Sequence, residues 1–141
     1  MPKKILSLAF VLISLSFVWS INSQPLFNGF GDRYEVYLKS NSSQAQIVST
    51  LPQKVWLYFQ RYGEACIISG VTKNNANPQN IIEDLGGEII FIEETKEGTS
   101  YYGYSKNINY SQQIKGEKIN LHLFVCGEYC KIGSPIIYGS Y

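Results

Sequence analysis

From residue 33 to residue 138 the sequence is dominated by two-residue alternation of apolar and polar positions. That period is the mark of half-buried strands and points to a sheet-dominated fold. Tyr34, Val36 and Leu38 interleave with Glu35, Tyr37 and Lys39. Asn41-Ser42-Ser43 reads as a turn and residues 45–50 as the return strand, ended by Pro52. Val55, Leu57 and Phe59 alternate with Trp56, Tyr58 and Gln60. Val55, Tyr58, Phe59 and Tyr62 also fit helical spacing, but aromatic and β-branched residues favour a strand there. Arg61-Tyr62-Gly63-Glu64 reads as a turn into a strand over residues 65–71. Strands are then expected at 88–94, 100–105, 119–126 and 130–138, the last broken by Pro135. Residues 107–115 are polar and read as a loop or short helix.

One helix is signalled by end chemistry. Asn77 is a good N-cap, and Pro78 suits the first helical position. Ile81, Ile82 and Leu85 make an apolar stripe, with Gly86-Gly87 as the stop. A helix of about nine residues cannot hold alone in water, so it must dock on a sheet. The expected fold is α+β: an antiparallel, β-rich sheet of seven or eight strands with one short helix packed on one face.

The first 23 residues stand apart. Lys3 and Lys4 precede a mostly apolar run over residues 5–18, and Ser20 and Ser23 offer small residues for cleavage. This is the layout of a signal peptide. The run falls short of the roughly 20 apolar residues that span a bilayer, and Ser7, Ser14 and Ser16 dilute it. An uncleaved anchor is the alternative. Residues 24–141 then form a single domain that is secreted or otherwise extracytoplasmic, touching a membrane only through the N-terminal segment.

Loss of Lys3 and Lys4 from 12 basic residues leaves 10 against 11 acidic ones. The basic residues are spread singly from Arg33 to Lys131. Duplex DNA needs a basic stripe to release counterions, so nucleic acid is not an expected partner.

Four short stretches carry a resemblance. They are Gly63-Glu64-Ala65, Tyr104-Ser105, Ile119-Asn120-Leu121-His122 and the run Ile132-Gly133-Ser134-Pro135-Ile136-Ile137. In this order, over about the last 80 residues, the chain resembles the YwmB-like family of secreted proteins from Gram-positive spore-forming bacteria, labelled TATA-box-binding-protein-like. His122 stands where that family carries glutamine. The resemblance implies an exported domain with an α+β fold like the TATA-binding fold, and no established reaction. Fold alone does not carry function.

Three cysteines and one histidine are the candidates for chemistry. With a three-residue turn at Gly127-Glu128-Tyr129, Cys126 and Cys130 would face each other across a hairpin within disulfide range. They form a bridge or remain two thiols, with Cys66 left over as a small buried hydrophobe. Cys66 and His122 could activate each other as nucleophile and base, but both fall mid-strand. Zinc held by His122, Cys126 and Cys130 would need a fourth ligand or a water. Strand spacing also puts His122 and Cys126 about 13 Å apart, so no metal or other cofactor is expected. Glu93, Glu94 and Glu97 sit at a hairpin turn, where solvated carboxylates are usual, and a hydrolase would need a partner carboxylate across a cleft.

Aromatic excess is the remaining feature: 11 tyrosines among 141 residues. Tyr37, Trp56, Tyr58, Tyr102 and Tyr104 fall on expected strands. They either stabilise the sheet or offer an amphipathic binding surface. The expectation is an exported, non-catalytic domain that binds a protein, peptide or glycan at the cell envelope. The alternative is a small envelope enzyme using Cys66 with His122, or carboxylates.

Overall fold

A computed structural model describes residues 2–39, 46–50, 61–69 and 77–139. Trp56, Tyr58, the ambiguous segment around them and the Asn41-Ser42-Ser43 turn lie outside the described residues. The described chain runs α1 (Pro2–Ser23), β1 (Arg33–Leu38), β2 (Gln46–Thr50), β3 (Arg61–Ser69), α2 (Pro78–Asp84), β4 (Gly87–Glu94), β5 (Thr99–Ser105), β6 (Gln112–Ile114), β7 (Glu117–Ile119), β8 (Leu121–Cys126) and β9 (Tyr129–Ser134).

Seven strands make one antiparallel sheet in the order β2-β1-β3-β9-β8-β5-β4, and β6 and β7 pair as a separate hairpin. The fold is α+β and sheet-dominant, as the alternation requires. α2 forms where its end signals lie. The Asn77 side chain accepts the Gln79 backbone N–H at 3.1 Å, and Pro78 occupies the first turn. The helix stops at Gly86, whose φ of +68° favours glycine. Ile82 is its buried anchor.

Three strand boundaries differ from the sequence reading. β3 begins at Arg61, so Gly63 is inside a strand rather than in a turn. A Cβ at Gly63 would lie 2.5 Å from the Ser134 carbonyl oxygen, so the glycine marks a close backbone approach. Asn120 splits the expected strand at 119–126 into β7 and β8. Its buried side chain accepts the Ser105 N–H at 2.7 Å and donates to the Ser105 and Ile108 carbonyls at 2.6 and 3.1 Å. The final strand ends at Ser134, and residues 135–139 leave the ladder as a tail.

The sheet's helix face holds the main core. Cys66, Leu121, Leu123, Cys130 and Ile132 are fully buried there beneath Ile82 and Phe27. Phe27 comes from a strap, residues 26–32, that links α1 to β1. Glu64 holds the strap by accepting the N–H groups of Leu26 and of Phe27, the latter at 3.3 Å. The Arg61 guanidinium sits 2.9 Å from Glu64 and donates to the Tyr110 hydroxyl at 2.7 Å. Burial pushes the Glu64 carboxyl up to about 7, against the pull of Arg61 and the two amides.

α1 spans 22 residues, about 33 Å at helical rise, and residues 3–20 are exposed on all sides. It is long and apolar enough to cross a membrane, and its N-terminal place equally suits a signal sequence. The helix extends past the apolar stretch of residues 5–18 at both ends, which keeps both the signal-peptide and the anchor readings in place. Ser14 and Ser16 donate their hydroxyls to the carbonyls of Phe10 and Ile13, both at 2.8 Å, which satisfies them within the helix.

Candidate functional site

The other sheet face is crossed by the C-terminal tail. Strand register brings Phe91 of β4, Tyr102 of β5 and His122 of β8 into one line. Their rings stack. Phe91 and Tyr102 have centroids 4.5 Å apart at 22°, and Tyr102 and His122 4.4 Å apart at 14°. Lys115, from the β6–β7 turn, stands 5.4 Å above the Phe91 ring and pairs with Glu93. Hydrogen bonding from Lys115 holds the Glu93 carboxyl below its usual range.

His122 is buried, with Nε2 3.1 Å from the Ser100 hydroxyl oxygen and Nδ1 accepting the Ile137 N–H at 3.2 Å. An imidazole that accepts at Nδ1 carries its neutral-form proton on Nε2. Nε2 therefore donates to Ser100 and cannot take that hydroxyl's proton as a base would. Burial also lowers the ring's pKa to about 4, with Glu93 opposing, so the neutral form prevails near pH 7. A buried serine–histidine contact here is a tether for the tail, not an activated nucleophile.

Nor does the sheet bring Cys66 to His122. Cys66 pairs with Ile132 and Ile132 with Leu123, so Cys66 lies on the helix face. His122, next to Leu123 in β8, points to the tail face. The cysteine–histidine pairing is thus overturned by strand parity. Glu93 and Glu94, adjacent in β4, likewise project to opposite faces, and Glu97 lies in the turn beyond. Among the described residues no group of three or more His, Cys, Asp or Glu is placed to hold a metal ion.

The β8–β9 turn contains two residues, Gly127 and Glu128, not three. Cys126 consequently pairs with Tyr129 and Cys130 with Val125. Cys126 faces out on the tail face, and Cys130 is buried on the helix face. The expected hairpin geometry for a bridge between them is corrected accordingly, and all three cysteines are thiols. Burial pushes the Cys66 and Cys130 thiols up to about 12.

The tyrosines expected on a binding surface separate. Tyr37 is fully buried. Its hydroxyl accepts the Tyr138 N–H at 3.3 Å, and its ring meets Tyr138 edge-on at 5.0 Å. Tyr37 is therefore corrected from surface to interior. Tyr102 is the middle of the ring stack. Tyr104 is half-buried under Lys118, 5.2 Å above its ring, and lines a 310 Å³ cleft with Gly86, Gly87, Glu88 and Lys106.

A larger groove, about 410 Å³, opens at the end of β8 and β9 between Glu97, Phe124, Cys126 and Tyr129. Its near wall is the turn joining β4 to β5, which Thr95 locks. The Thr95 hydroxyl donates to the Gly98 carbonyl at 3.0 Å and accepts the N–H groups of Glu97 and Gly98 at 3.3 and 3.2 Å. A Cβ on Gly98 would come within 2.8 Å of the Phe124 ring and 2.4 Å of the Val125 carbonyl oxygen. Glycine thus lets the turn close against β8 and shape the groove. Two aromatic rings and one thiol offer apolar contact, with the Glu97 carboxylate and the Tyr129 hydroxyl as polar handles.

Neither Phe124 nor Tyr129 stood out in the sequence, because the turn length that places Tyr129 in β9 is not written in its composition. A buried ion pair was also missed. Lys131 lies 2.8 Å from Glu35 on the tail face. A lysine at the centre of an apolar strand was its signal, since such a charge is seldom buried without a partner. Comparison with family models, with curated proteins and with solved structures finds no match for this chain.

Proposed function

We propose that this protein is an exported, non-catalytic binding domain that holds an envelope protein, peptide or glycan in the groove between Glu97, Phe124, Cys126 and Tyr129. The observation that carries the proposal is the groove itself: an open concavity on the antiparallel sheet, lined by half-buried Tyr129 and floored by the buried Phe124 ring. The apolar N-terminal helix supports export. The YwmB-like resemblance supports the same compartment. The tautomer imposed on His122 and the opposite faces of Cys66 and His122 weigh against the enzyme reading.

The test has two arms. Full-length protein expressed in a Gram-positive host is fractionated and its N-terminus sequenced, with a start at Ile21 or Gln24 expected. The purified protein is then titrated with wall-glycan fragments and wall-derived peptides while the resonances of Phe124 and Tyr129 are followed. Binding that disappears in a Phe124→Ala, Tyr129→Ala double variant supports the reading. Turnover of any of these probes that is lost on Glu94→Gln or His122→Ala overturns it.

A further inference from the structure

β4 is one edge of the sheet, and among the described residues no strand pairs with its outer side. The direction of its amides follows from the register. The Gly103 carbonyl accepts the Asn120 N–H at 3.0 Å, so the backbone groups of Gly103 face away from β4. In an antiparallel ladder the N–H and C=O of one residue point the same way and alternate along the strand. Tyr102 therefore turns its groups toward β4, where Phe91 is its partner, and Glu93 faces β5 in the same way opposite Ser100. Ile92 and Glu94, between and beyond them, send their N–H and C=O groups outward.

The side chains on this edge have a definite character. Outside α1, the exposed large apolar residues among those described are Ile47 and Ile92, one on each edge strand, and Ile92 is 53% exposed. Around it the charge is negative. Between residues 78 and 97 the sequence has six acidic residues and one basic. Glu93 is paired with Lys115, while Glu88, Glu94 and Glu97 are exposed. Exposed edge charges discourage two copies of one chain from pairing edge to edge. The same carboxylates attract a strand of opposite charge.

We propose that the outer edge of β4 accepts an extended, lysine- or arginine-bearing segment of a partner protein as an eighth strand of the sheet. The added strand would take the outward amides of Ile92 and Glu94, lay its apolar side chains over Ile92 on the helix face and set its basic residues on the tail face beside Glu88, with Glu94 adding to the negative field. This is strand addition, in which backbone bonds hold the segment and alternate side chains select it. The edge is distinct from the groove, so its failure as a docking site leaves the groove reading in place.

The experiment uses the full chain in non-ionic detergent micelles and a seven-residue peptide alternating lysine and valine, with a glutamate–valine peptide as control. Amide hydrogen exchange is read residue by residue. The lysine peptide is expected to slow exchange at Ile92 and Glu94 and to lose affinity as salt rises, while the glutamate peptide does neither. Ile92→Pro removes one outward donor without touching the β5 ladder and should abolish binding. If that variant does not fold, Glu88→Lys with Glu94→Lys keeps the test, because both side chains are exposed. That double variant should weaken the lysine peptide about tenfold and favour the glutamate peptide. Equal binding of the two peptides, protection confined to other strands, or self-association of the chain through β4 would each overturn the proposal.

Discussion

Cys126 and Cys130 point to opposite faces of the sheet, because Cys130 stands opposite Val125 and Cys126 opposite Tyr129. Burial isolates Cys130 and Cys66 from solvent and keeps both protonated far above neutral pH. A thiol reagent at pH 8 should therefore react with one group in the native protein and with three in the denatured, unreduced protein. Cys126→Ser should remove the native reaction entirely. A single thiol in the denatured, unreduced protein would refute this register.

Glu64 and His122 have opposite effects on stability across one pH window. Glu64 is raised to about 7 in the fold, so the native state holds a proton that the unfolded chain releases, and stability rises as pH falls from about 7 toward 4.5. His122 is lowered to about 4, so the unfolded chain takes the proton first, and stability falls as pH drops from 6.5 toward 4. Each effect is about 3 kcal/mol in full, and they nearly cancel. The wild-type melting temperature should be almost flat between pH 7 and 5. Glu64→Gln should make it fall by several degrees on acidification, and His122→Asn should make it rise. Parallel pH slopes in the two variants would contradict the assignment.

The His122 tether predicts a difference between two substitutions. His122→Leu leaves the buried Ile137 N–H without an acceptor and should cost about 1–3 kcal/mol in urea unfolding. His122→Asn keeps a side-chain acceptor on the same strand position and should cost less. If the leucine variant were the more stable of the two, the tail would not be held by this bond.

Gly31 has no room for a methyl group. An added Cβ would lie 2.3 Å from the Ile67 carbonyl oxygen and 2.6 Å from the Cys66 sulfur. Gly31→Ala should break the Asp32 N–H bond to Ile67, 3.0 Å in the native fold, and destabilise the domain by about 1–3 kcal/mol. Limited proteolysis should then cut the strap near Phe27 faster than in wild type.

Local features of this sequence were legible and non-local ones were not. Alternation located β1, β4 and β5 because a period of two belongs to the strand alone, but burial follows the tertiary cover: Val36 and its neighbour Tyr37 are both buried, and Ile92 is exposed beside half-buried Glu93. Asn77, Pro78 and Gly86 located α2 because capping is decided within one turn. The strand at Ala65 was found, but its start was missed, since Gly63 is needed by the backbone of Ser134, 71 positions away. The turn after Cys126 was one residue too long because Tyr129 suits a turn or a strand, and only the ladder to Cys126 decides. Glu64 reads as a turn residue until the strap returns to bury it. Tyr37 reads as a surface tyrosine until the tail covers it.

The strap and the tail also set the order in which this domain can be completed. Phe27 fills the core from one end of the chain, and the Tyr138 amide reaches the Tyr37 hydroxyl across 101 positions from the other. Neither contact exists until β3, β8 and β9 have assembled between them. Closing such distant pairs costs loop entropy before any burial rewards it, which slows folding. A chain emerging end first through a narrow passage would thus stay open, with Phe27 exposed, until its last residues had come through.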